Sequence, residues 1–278
     1  MSSPRKWCCG WRKRESTMLN PAFDSTLLSR IEDAGLNASA PPQQRWMDGW
    51  LVRFSDGKAK RARCVNAVAS GRMPLADKLA VCSALFTEVG LPLFVRITPF
   101  SQPADLDRQL ADLGMLRIDD TRVMVCAELS AAAPPESATP HRIERVGHEM
   151  FATLVGHLRG SPLAQRQAHS QRLSLSPVPF QGFVMKDEAG LVVCCGQIAI
   201  EAGLVGLYDV FTAPVHRGLR LAQRLCEHML SVARSHGAEV GYLQVDADNH
   251  AARSVYRKLG FTDAYAYHYR TPVRPLPG

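Results

Sequence analysis

The chain has 278 residues, of which 46% are apolar, and a formal net charge of +7. This composition fits one large or two ordinary domains, and the absence of an apolar run of ~18 residues excludes a membrane-spanning protein and a membrane partner. Five basic residues precede Met18 against only Glu15. The rest of the chain is therefore nearly neutral, which disfavours nucleic acid as a partner.

Residues 1–18 are a short basic segment without a sustained apolar stretch. High charge with few apolar residues is typical of disorder. We therefore expect a disordered basic tail here and no secretory signal.

The eight cysteines include the pairs Cys8-Cys9 and Cys194-Cys195, and the others lie singly in apolar patterns. None has the spacing of a metal site, and the nine histidines are scattered after position 140, so we expect no metal. Buried free thiols fit a reducing compartment, which predicts a cytoplasmic protein.

Residues 19–130 alternate apolar segments with turn signals, which predicts a first α/β domain. The turn Ser55-Asp56-Gly57 predicts a hairpin between its flanking strands. The predicted elements are a helix within 21–37, a connector over 38–44, strands over 50–54 and 59–68, a helix over 75–89, a strand over 93–98, a helix over 104–113 and a strand over 117–129.

Residues 131–140 are rich in alanine, proline and serine, which is typical of a linker. Residues 141–278 form the second predicted domain. It begins with a strand over 141–146, helices over 149–158 and 163–173, and an antiparallel meander over 180–186, 192–200 and 203–211.

The most informative segment is the turn that follows the strand over 203–211. Pro214 ends this strand, and a helix with apolar residues at helical spacing follows the turn. The first amides of a helix have no internal partners and carry the positive end of its dipole, so this turn can bind an anion. Arg217 adds charge there, and Gly218 lets the backbone approach a ligand. The alternative is an ordinary crossover with a surface arginine.

A second strand over 240–245 leads to another helix, which Asp248 or Asn249 can cap, and Tyr256 follows Asn249 by seven residues. Seven residues are close to two helical turns, so the two side chains share one face. A tyrosine can donate a proton to a thiolate leaving group. In the alternative interpretation, Tyr256 is half-buried packing and Asn249 is only a helix cap.

In this order the two segments resemble the GNAT superfamily of acyl-CoA N-acyltransferases, over residues 142–270. The family's pyrophosphate loop, Arg/Gln-x-x-Gly-x-Gly/Ala, is matched by Arg217-Gly218-Leu219-Arg220-Leu221-Ala222, and its later pattern by Asn249, Ala252, Tyr256, Gly260 and Phe261. Arg220 replaces the central glycine. We expect it to be tolerated, because a residue that enters a helix does not need a positive φ, and its guanidinium could reach a phosphate of CoA.

The resemblance implies an α/β (α+β) fold of two GNAT-like domains, each a mixed, mostly antiparallel sheet flanked by helices, with the catalytic domain C-terminal. The order strand, helix, strand, helix, strand is predicted in both halves. Residues 69–74 lack the phosphate loop, and the first half has no counterpart of the tyrosine. Residues 19–130 therefore resemble the degenerate half of tandem GNAT proteins, which would shape the substrate side of the cleft; a homodimer stays open.

The implied activity is transfer of an acetyl group from acetyl-CoA to a primary amine by direct attack, without a metal. By the same resemblance, the amides of Val210 and Thr212 hold pantetheine and polarise the thioester carbonyl, and residues 217–222 bind the pyrophosphate. Asn249 contacts the CoA arm, and Tyr256 is the general acid.

The base and the acceptor stay open. Asp209 is the candidate catalytic base, with water-mediated deprotonation as an equal alternative. Arg159, Arg166 and His169 lie on helices that border the acceptor site in GNAT folds, and they are candidate specificity residues. A small amine, an antibiotic, an amino acid and a protein amine all fit as acceptors.

Other functions compete with the enzyme. Arg220 and the extra domain motivate a non-catalytic acyl-CoA sensor or interaction module, and the basic tail motivates a nucleic-acid-associated protein. A separate small-molecule site in the first half would use Trp50, Arg53, Arg61 and Arg63, for which a solvated strand face is the favoured alternative.

Overall fold

The computed structural model describes residues 19–129 and 140–273. The predicted basic tail, residues 1–18, lies outside these residues. The predicted linker, residues 131–140, also lies outside them except for residue 140. In the described ranges seven α-helices flank one sheet of eleven strands. No described helix has the length and apolar content to cross a bilayer.

The helices and strands have the following bounds. The helices are α1 Ser25–Ala38, α2 Leu75–Glu88, α3 Leu106–Asp112, α4 His148–Leu158, α5 Leu163–Ser174, α6 Leu221–Ser235 and α7 His250–Lys258. The strands are β1 Gln43–Met47, β2 Trp50–Phe54, β3 Val65–Ala67, β4 Val95–Ile97, β5 Leu116–Cys126, β6 Arg142–Val146, β7 Phe180–Lys186, β8 Val192–Glu201, β9 Leu204–Thr212, β10 Val240–Asp246 and β11 Thr262–Thr271.

The strands run across the sheet in the order β1-β2-β3-β4-β11-β5-β10-β9-β8-β7-β6. The pairs β3–β4 and β9–β10 are parallel, and the other pairs are antiparallel. A parallel pair needs a crossover, and here the crossovers are α2 and α6. The predicted mixed, mostly antiparallel fold with flanking helices is confirmed.

The two halves repeat one another. The first contains β3, α2, β4, α3 and β5 in the same order as β9, α6, β10, α7 and β11 in the second. Gly114 and Gly260 both follow the second helix of their half, with φ of 78° and 85°. These glycines adopt the left-handed conformation that ends a helix at low cost.

The last strand of each half is exchanged. β5 pairs with β10 of the second half, β11 pairs with β4 of the first, and β5 and β11 pair with each other. The sequence analysis expected a sheet in each domain, whereas the halves share one continuous sheet. Hydrophobic periodicity identifies a strand but does not identify its partner, and the exchange could not be read from it.

The tight turn predicted at Ser55-Asp56-Gly57 is wrong, although the predicted antiparallel pairing of its flanking strands is present. The tight hairpin joins β1 to β2 through Asp48 and Gly49, which have φ of 44° and 84°. Positive φ at both central residues is typical of the two-residue turn that matches strand twist, and Asp-Gly is a favoured sequence for it. β2 does pair with β3, but a longer connection that includes a 3₁₀ turn at Lys60–Ala62 lies between them.

The core lies on both faces of the sheet. α6 packs on one face against buried residues of β8 and β9. α1 belongs to the first half but covers the opposite face of the second, where Leu28 and Ile31 share a core cluster with Tyr208, Tyr242 and Tyr265. Six cysteines in the described residues are buried free thiols, as predicted for those positions.

Candidate active site

The site begins where two parallel strands separate. β9 and β10 pair only over residues 204–207 and 240–243. Past Leu207, β10 continues along β5 and β9 continues along β8, which opens a cleft between them. The Ala213 amide donates to Val193 on the β8 side at 2.9 Å. Amide directions alternate along a regular strand, so the amide of Thr212 points to the cleft edge; Val210 lies at an irregularity of β9, and a contact of its amide with a ligand stays a prediction.

The turn between β9 and α6 presents unpaired amides. In the part of the chain that the structure describes, no hydrogen bond to protein is made by the backbone amides of residues 218–223, and the first helical amide with an acceptor is that of Arg224. α6 has no side-chain cap and no acidic residue in its first turn. Consecutive free amides at the positive end of a helix dipole form a cradle for an anion.

Arg217 is held beside this cradle. Its Nε lies 3.5 Å from the carbonyl oxygen of Thr212, and its guanidinium lies 5.8 Å from the ring centroid of Phe211. Gly218 has a φ of 81°, and a Cβ built there meets no atom within 4 Å. The turn therefore places a positive charge next to an open backbone surface, which suits a phosphate group.

Arg220 does not behave as expected. The sequence analysis assumed that this residue enters the helix without a positive φ, but Arg220 has φ 58° and ψ 17°, in the left-handed region. The backbone at this position has the left-handed conformation that glycine adopts most easily, although an arginine stands here in place of the glycine of the GNAT motif. The turn therefore strains the backbone of Arg220. The residue is exposed, in the same turn as the free amides.

Asn249 begins α7 as its N-cap. Its Oδ1 accepts a hydrogen bond from the Ala252 amide at 3.1 Å, which confirms the predicted cap. The residue is exposed, and its Nδ2 makes no hydrogen bond among the described residues. Contact between Asn249 and a CoA arm stays a prediction that this free donor permits.

Tyr256 packs on the same core cluster as α6. It is 9% exposed, and its ring lies edge-on to Phe261 with centroids 6.2 Å apart. Burial raises the pKa of Tyr256 above its ordinary value, and the neighbouring thiols of Cys226 and Cys194 add to the shift. Cys194 Sγ is 3.2 Å from Thr212 Oγ1, so Tyr256 approaches the end of β9. Its hydroxyl stays protonated and can act as a hydrogen-bond donor.

Asp209 lies at an irregularity of β9, with a φ of 52°. Its Oδ1 accepts from Arg159 at 2.8 Å, and its Oδ2 accepts from Gln197 at 2.7 Å and lies 3.2 Å from His169 Nε2. Burial alone would raise the pKa of Asp209, but the His169 contact and the charges of Arg159 and Arg172 hold that pKa well below its ordinary value. A carboxylate held in this way is a weak proton acceptor.

A pocket of about 290 Å³ adjoins Asp209. Both halves line it, with residues around Ala38, the β2–β3 connection, α5 and β9. Of the sequence candidates, Arg61, Arg159 and His169 line the pocket, and Arg166 does not; its Nη1 lies 2.9 Å from His157 Nε2 instead.

The other candidates of the first half lie elsewhere. Trp50 and Arg53 are 1% and 2% exposed, so they do not form the solvated strand face that was expected. Sequence analysis missed Arg172, which also lines the pocket. The signal was available, because Arg172 follows His169 by three residues and a helix places such residues on one face.

The first half fills its own anion site. The carboxylate of Asp48 accepts from the amides of Arg72 and Met73 at 2.8 to 3.0 Å, just before α2. Lys78, which is 1% exposed, lies 2.9 Å from Asp48 Oδ2. An internal carboxylate thus occupies the place that corresponds to the open cradle before α6. The amides of Arg72 and Met73 are therefore already bound by a carboxylate, whereas those of residues 218–220 have no partner among the described residues.

Comparisons with known proteins agree with this geometry. The profile described as "Acetyltransferase (GNAT) family" matches residues 151–261. A Bacillus subtilis protein named as the uncharacterized N-acetyltransferase YobR is 27% identical over 229 residues, which cover 82% of this chain and 91% of YobR.

Solved structures share the fold. A GCN5-related N-acetyltransferase from Kribbella flavida has a TM-score of 0.64 at 16% identity, covering 89% of this chain and 96% of that one. A tandem GNAT protein from the clavulanic acid biosynthesis pathway has a TM-score of 0.58 at 16% identity, covering 72% and 69%. Residues 151–261, which include the amide cradle, Asn249 and Tyr256, therefore match the GNAT acetyltransferase family.

Proposed function

We propose that this protein transfers an acetyl group from acetyl-CoA to a primary amine. GNAT acyltransferases use an acyl-CoA donor, and the observation that carries the proposal is the cradle of free amides at residues 218–223 with Arg217 beside it. This cradle suits the pyrophosphate of CoA, and it lies at the end of the strand whose free edge would take the pantetheine arm. Acetyl is the simplest acyl group that the reaction can use.

The neutral amine nitrogen attacks the thioester carbonyl carbon, the new N–C bond forms, and the C–S bond breaks; the nitrogen loses one proton and the departing sulfur gains one, so that CoA leaves as the free thiol. The amides of Val210 and Thr212 would polarise the carbonyl and stabilise the negative charge that develops on its oxygen. Tyr256 would donate a hydrogen bond to the departing sulfur. Its raised pKa weakens it as an acid but keeps the proton in place at neutral pH.

The attacking ammonium must first lose a proton. The strongly lowered pKa of Asp209 argues against that carboxylate as the direct acceptor. We assign the role of proton acceptor to His169 or to a water beside it. Asp209 would orient the imidazole of His169, whose Nε2 lies 3.2 Å from Asp209 Oδ2. The free buried thiols fit the reducing cytoplasm as the site of action.

The proposal is tested by titrating acetyl-CoA calorimetrically and by measuring free thiol release over a panel of amines. Arg217→Ala should weaken acetyl-CoA binding by ~10-fold or more, because a charge-assisted contact with phosphate is lost. Arg108→Ala is the matched control, since Arg108 is 75% exposed on α3.

Tyr256→Phe should lower kcat by ~100-fold with little change in acetyl-CoA affinity, because the hydroxyl acts on the leaving sulfur. Tyr269→Phe removes the same group from a different core cluster and should keep full activity. Binding without turnover on any amine would favour the non-catalytic acyl-CoA sensor, which the strained Arg220 keeps as the second candidate. Absence of acetyl-CoA binding would refute both.

A further inference from the structure

The pocket beside Asp209 is built to hold an anion. Four basic side chains line it against the single carboxylate of Asp209, with His169 as a further polar group. The four are Lys58, Arg61, Arg159 and Arg172. An excess of positive charge in a partly enclosed space attracts and retains negatively charged ligands.

Only one of these cations is neutralised by protein. Arg159 pairs with Asp209 at 2.8 Å. Within residues 19–129 and 140–273, no carboxylate forms an ion pair with Lys58, Arg61 or Arg172. Three positive charges therefore face the same cavity without an ion pair among these residues, although Arg172 lies close enough to Asp209 for their charges to interact.

The two arginines are held in place by neutral groups. Arg172 donates to the carbonyl oxygen of Ala38 at 3.2 Å and lies over the ring of Phe180 at 5.5 Å. Arg61 donates to the Tyr267 hydroxyl at 3.1 Å, and its Nε is buried without a hydrogen-bond acceptor. Burial lowers the pKa of Arg172, which shows how far this cation has been removed from water. A partly buried guanidinium without an anion is costly, and a ligand oxyanion would remove that cost.

The pocket lies next to the cradle for CoA. Phe211 contacts both sites, because the guanidinium of Arg159, which lines the pocket, is 5.4 Å from its ring centroid and that of Arg217 is 5.8 Å away. Tyr208 and Asp209, which also line the pocket, precede the amides of Val210 and Thr212 on the same strand. An acceptor in the pocket would therefore be within reach of the thioester.

We infer that the acceptor is a small amine that also carries an oxyanion, either a carboxylate or a phosphate. This inference rests on the proposed acetyltransferase function. The oxyanion lies among Arg61, Arg172 and Lys58, and the amine points to Asp209, His169 and the free edge of β9. The volume of about 290 Å³ suits a small metabolite. The first half contributes Arg61 and Lys58, so its work is to complete the acceptor pocket.

The test compares pairs of amines that differ only by the anion. The pairs are lysine with cadaverine, 4-aminobutyrate with butylamine, and phosphoethanolamine with ethanolamine; the first two carry a carboxylate and the third a phosphate. The full-length protein with saturating acetyl-CoA should give a kcat/KM that is ~10- to 100-fold higher for an anion-bearing member, as one or two charge-assisted hydrogen bonds require.

Variants show whether the pocket causes the preference. Arg172→Gln should bring the ratio within a pair close to one, while Arg172→Lys should restore part of it. Lys58→Gln changes an exposed residue and should lower the ratio without a folding defect. Arg108→Gln, on the exposed surface of α3, should leave the ratio unchanged.

A second readout does not depend on turnover. Each anion-bearing amine is added to the protein with CoA, and the melting temperature is measured; a rise that Arg172→Gln abolishes supports the inference. Acetylation of amines without any preference for the anion would overturn the inference and leave the acetyltransferase standing. Absence of stabilisation by every anion-bearing amine, together with absence of their turnover, would also overturn it, whatever the protein does with acetyl-CoA.

Discussion

At the scale of single residues, Arg220 shows a conflict between backbone and side chain. Its φ of 58° lies where a side chain other than glycine costs about 1 to 2 kcal/mol. Its side chain is exposed in the turn that carries the amide cradle. The strained backbone and the exposed guanidinium are therefore two separable properties of this residue.

Glycine and alanine at position 220 separate these two effects. Arg220→Gly should raise the free energy of unfolding by about 1 kcal/mol, because glycine adopts this conformation without strain. Arg220→Ala removes the same guanidinium but keeps a Cβ, so its stability should stay near that of the parent protein. Urea denaturation of the three proteins measures the difference. Equal stability of the two variants would contradict the assignment of strain to the backbone of Arg220.

At the scale of elements, α2 and α6 are the equivalent crossover helices of the two halves, but the turns before them differ. Both helices begin without a side-chain cap, but the amides of Arg72 and Met73 before α2 are bound by Asp48, whereas those of residues 218–220 before α6 have no partner among the described residues. The hydrogen bonds from Lys78, Arg72 and Met73 lower the pKa of Asp48 to about 2. In the first half, the amides before the crossover helix are thus bound by a carboxylate of the same half.

Asp48→Asn should lower the melting temperature at neutral pH, because an amide cannot replace a carboxylate between Lys78 and two backbone donors. The lowered pKa means that the stabilisation by Asp48 is fully present above its unfolded pKa of ~3.9 and is lost as the pH falls towards about 2. The difference in melting temperature between the parent and Asp48→Asn should therefore shrink between pH 4 and pH 2.

Asp56→Asn, a change in an exposed part of the β2–β3 connection, is the control and should show no such pH-dependent difference. A difference between the parent and Asp48→Asn that is constant with pH would show that Asp48 acts through packing and not through its charge.

At the scale of the whole molecule, the exchanged strands make the two halves one folding unit. β5 lies between β10 and β11, and its Val123, Met124 and Val125 are fully buried. α1 adds a second connection, because Glu32 forms a buried ion pair with Arg96 of β4 and accepts from the Tyr265 hydroxyl of β11 at 2.8 Å. Groups from three distant parts of the chain therefore depend on one another.

Features that depend on residues close together in the chain could be predicted from the sequence. The turn before α6, the cap at Asn249 and the repeated element order follow from neighbouring residues, and the structure has all three. Features that depend on contacts distant along the chain could not be predicted, such as the pairing of β5 with β10 or the approach of Arg61 to Asp209 across the pocket. The left-handed Arg220 was missed for a different reason, because propensity disfavours arginine there and the turn overrides it.

Strand exchange predicts that neither half folds alone. A fragment of residues 140–278 lacks β5, so β10 and β11 would lose their common neighbour and expose buried edges that aggregate. We expect this fragment to be insoluble or to lack cooperative unfolding by circular dichroism. Coexpression with residues 1–139 as a separate chain should restore both solubility and cooperative unfolding. Copurification in a 1:1 ratio with the parent's unfolding transition would support one shared sheet. A monomeric fragment 140–278 that unfolds cooperatively at the temperature of the whole protein would contradict it and would restore two independent domains.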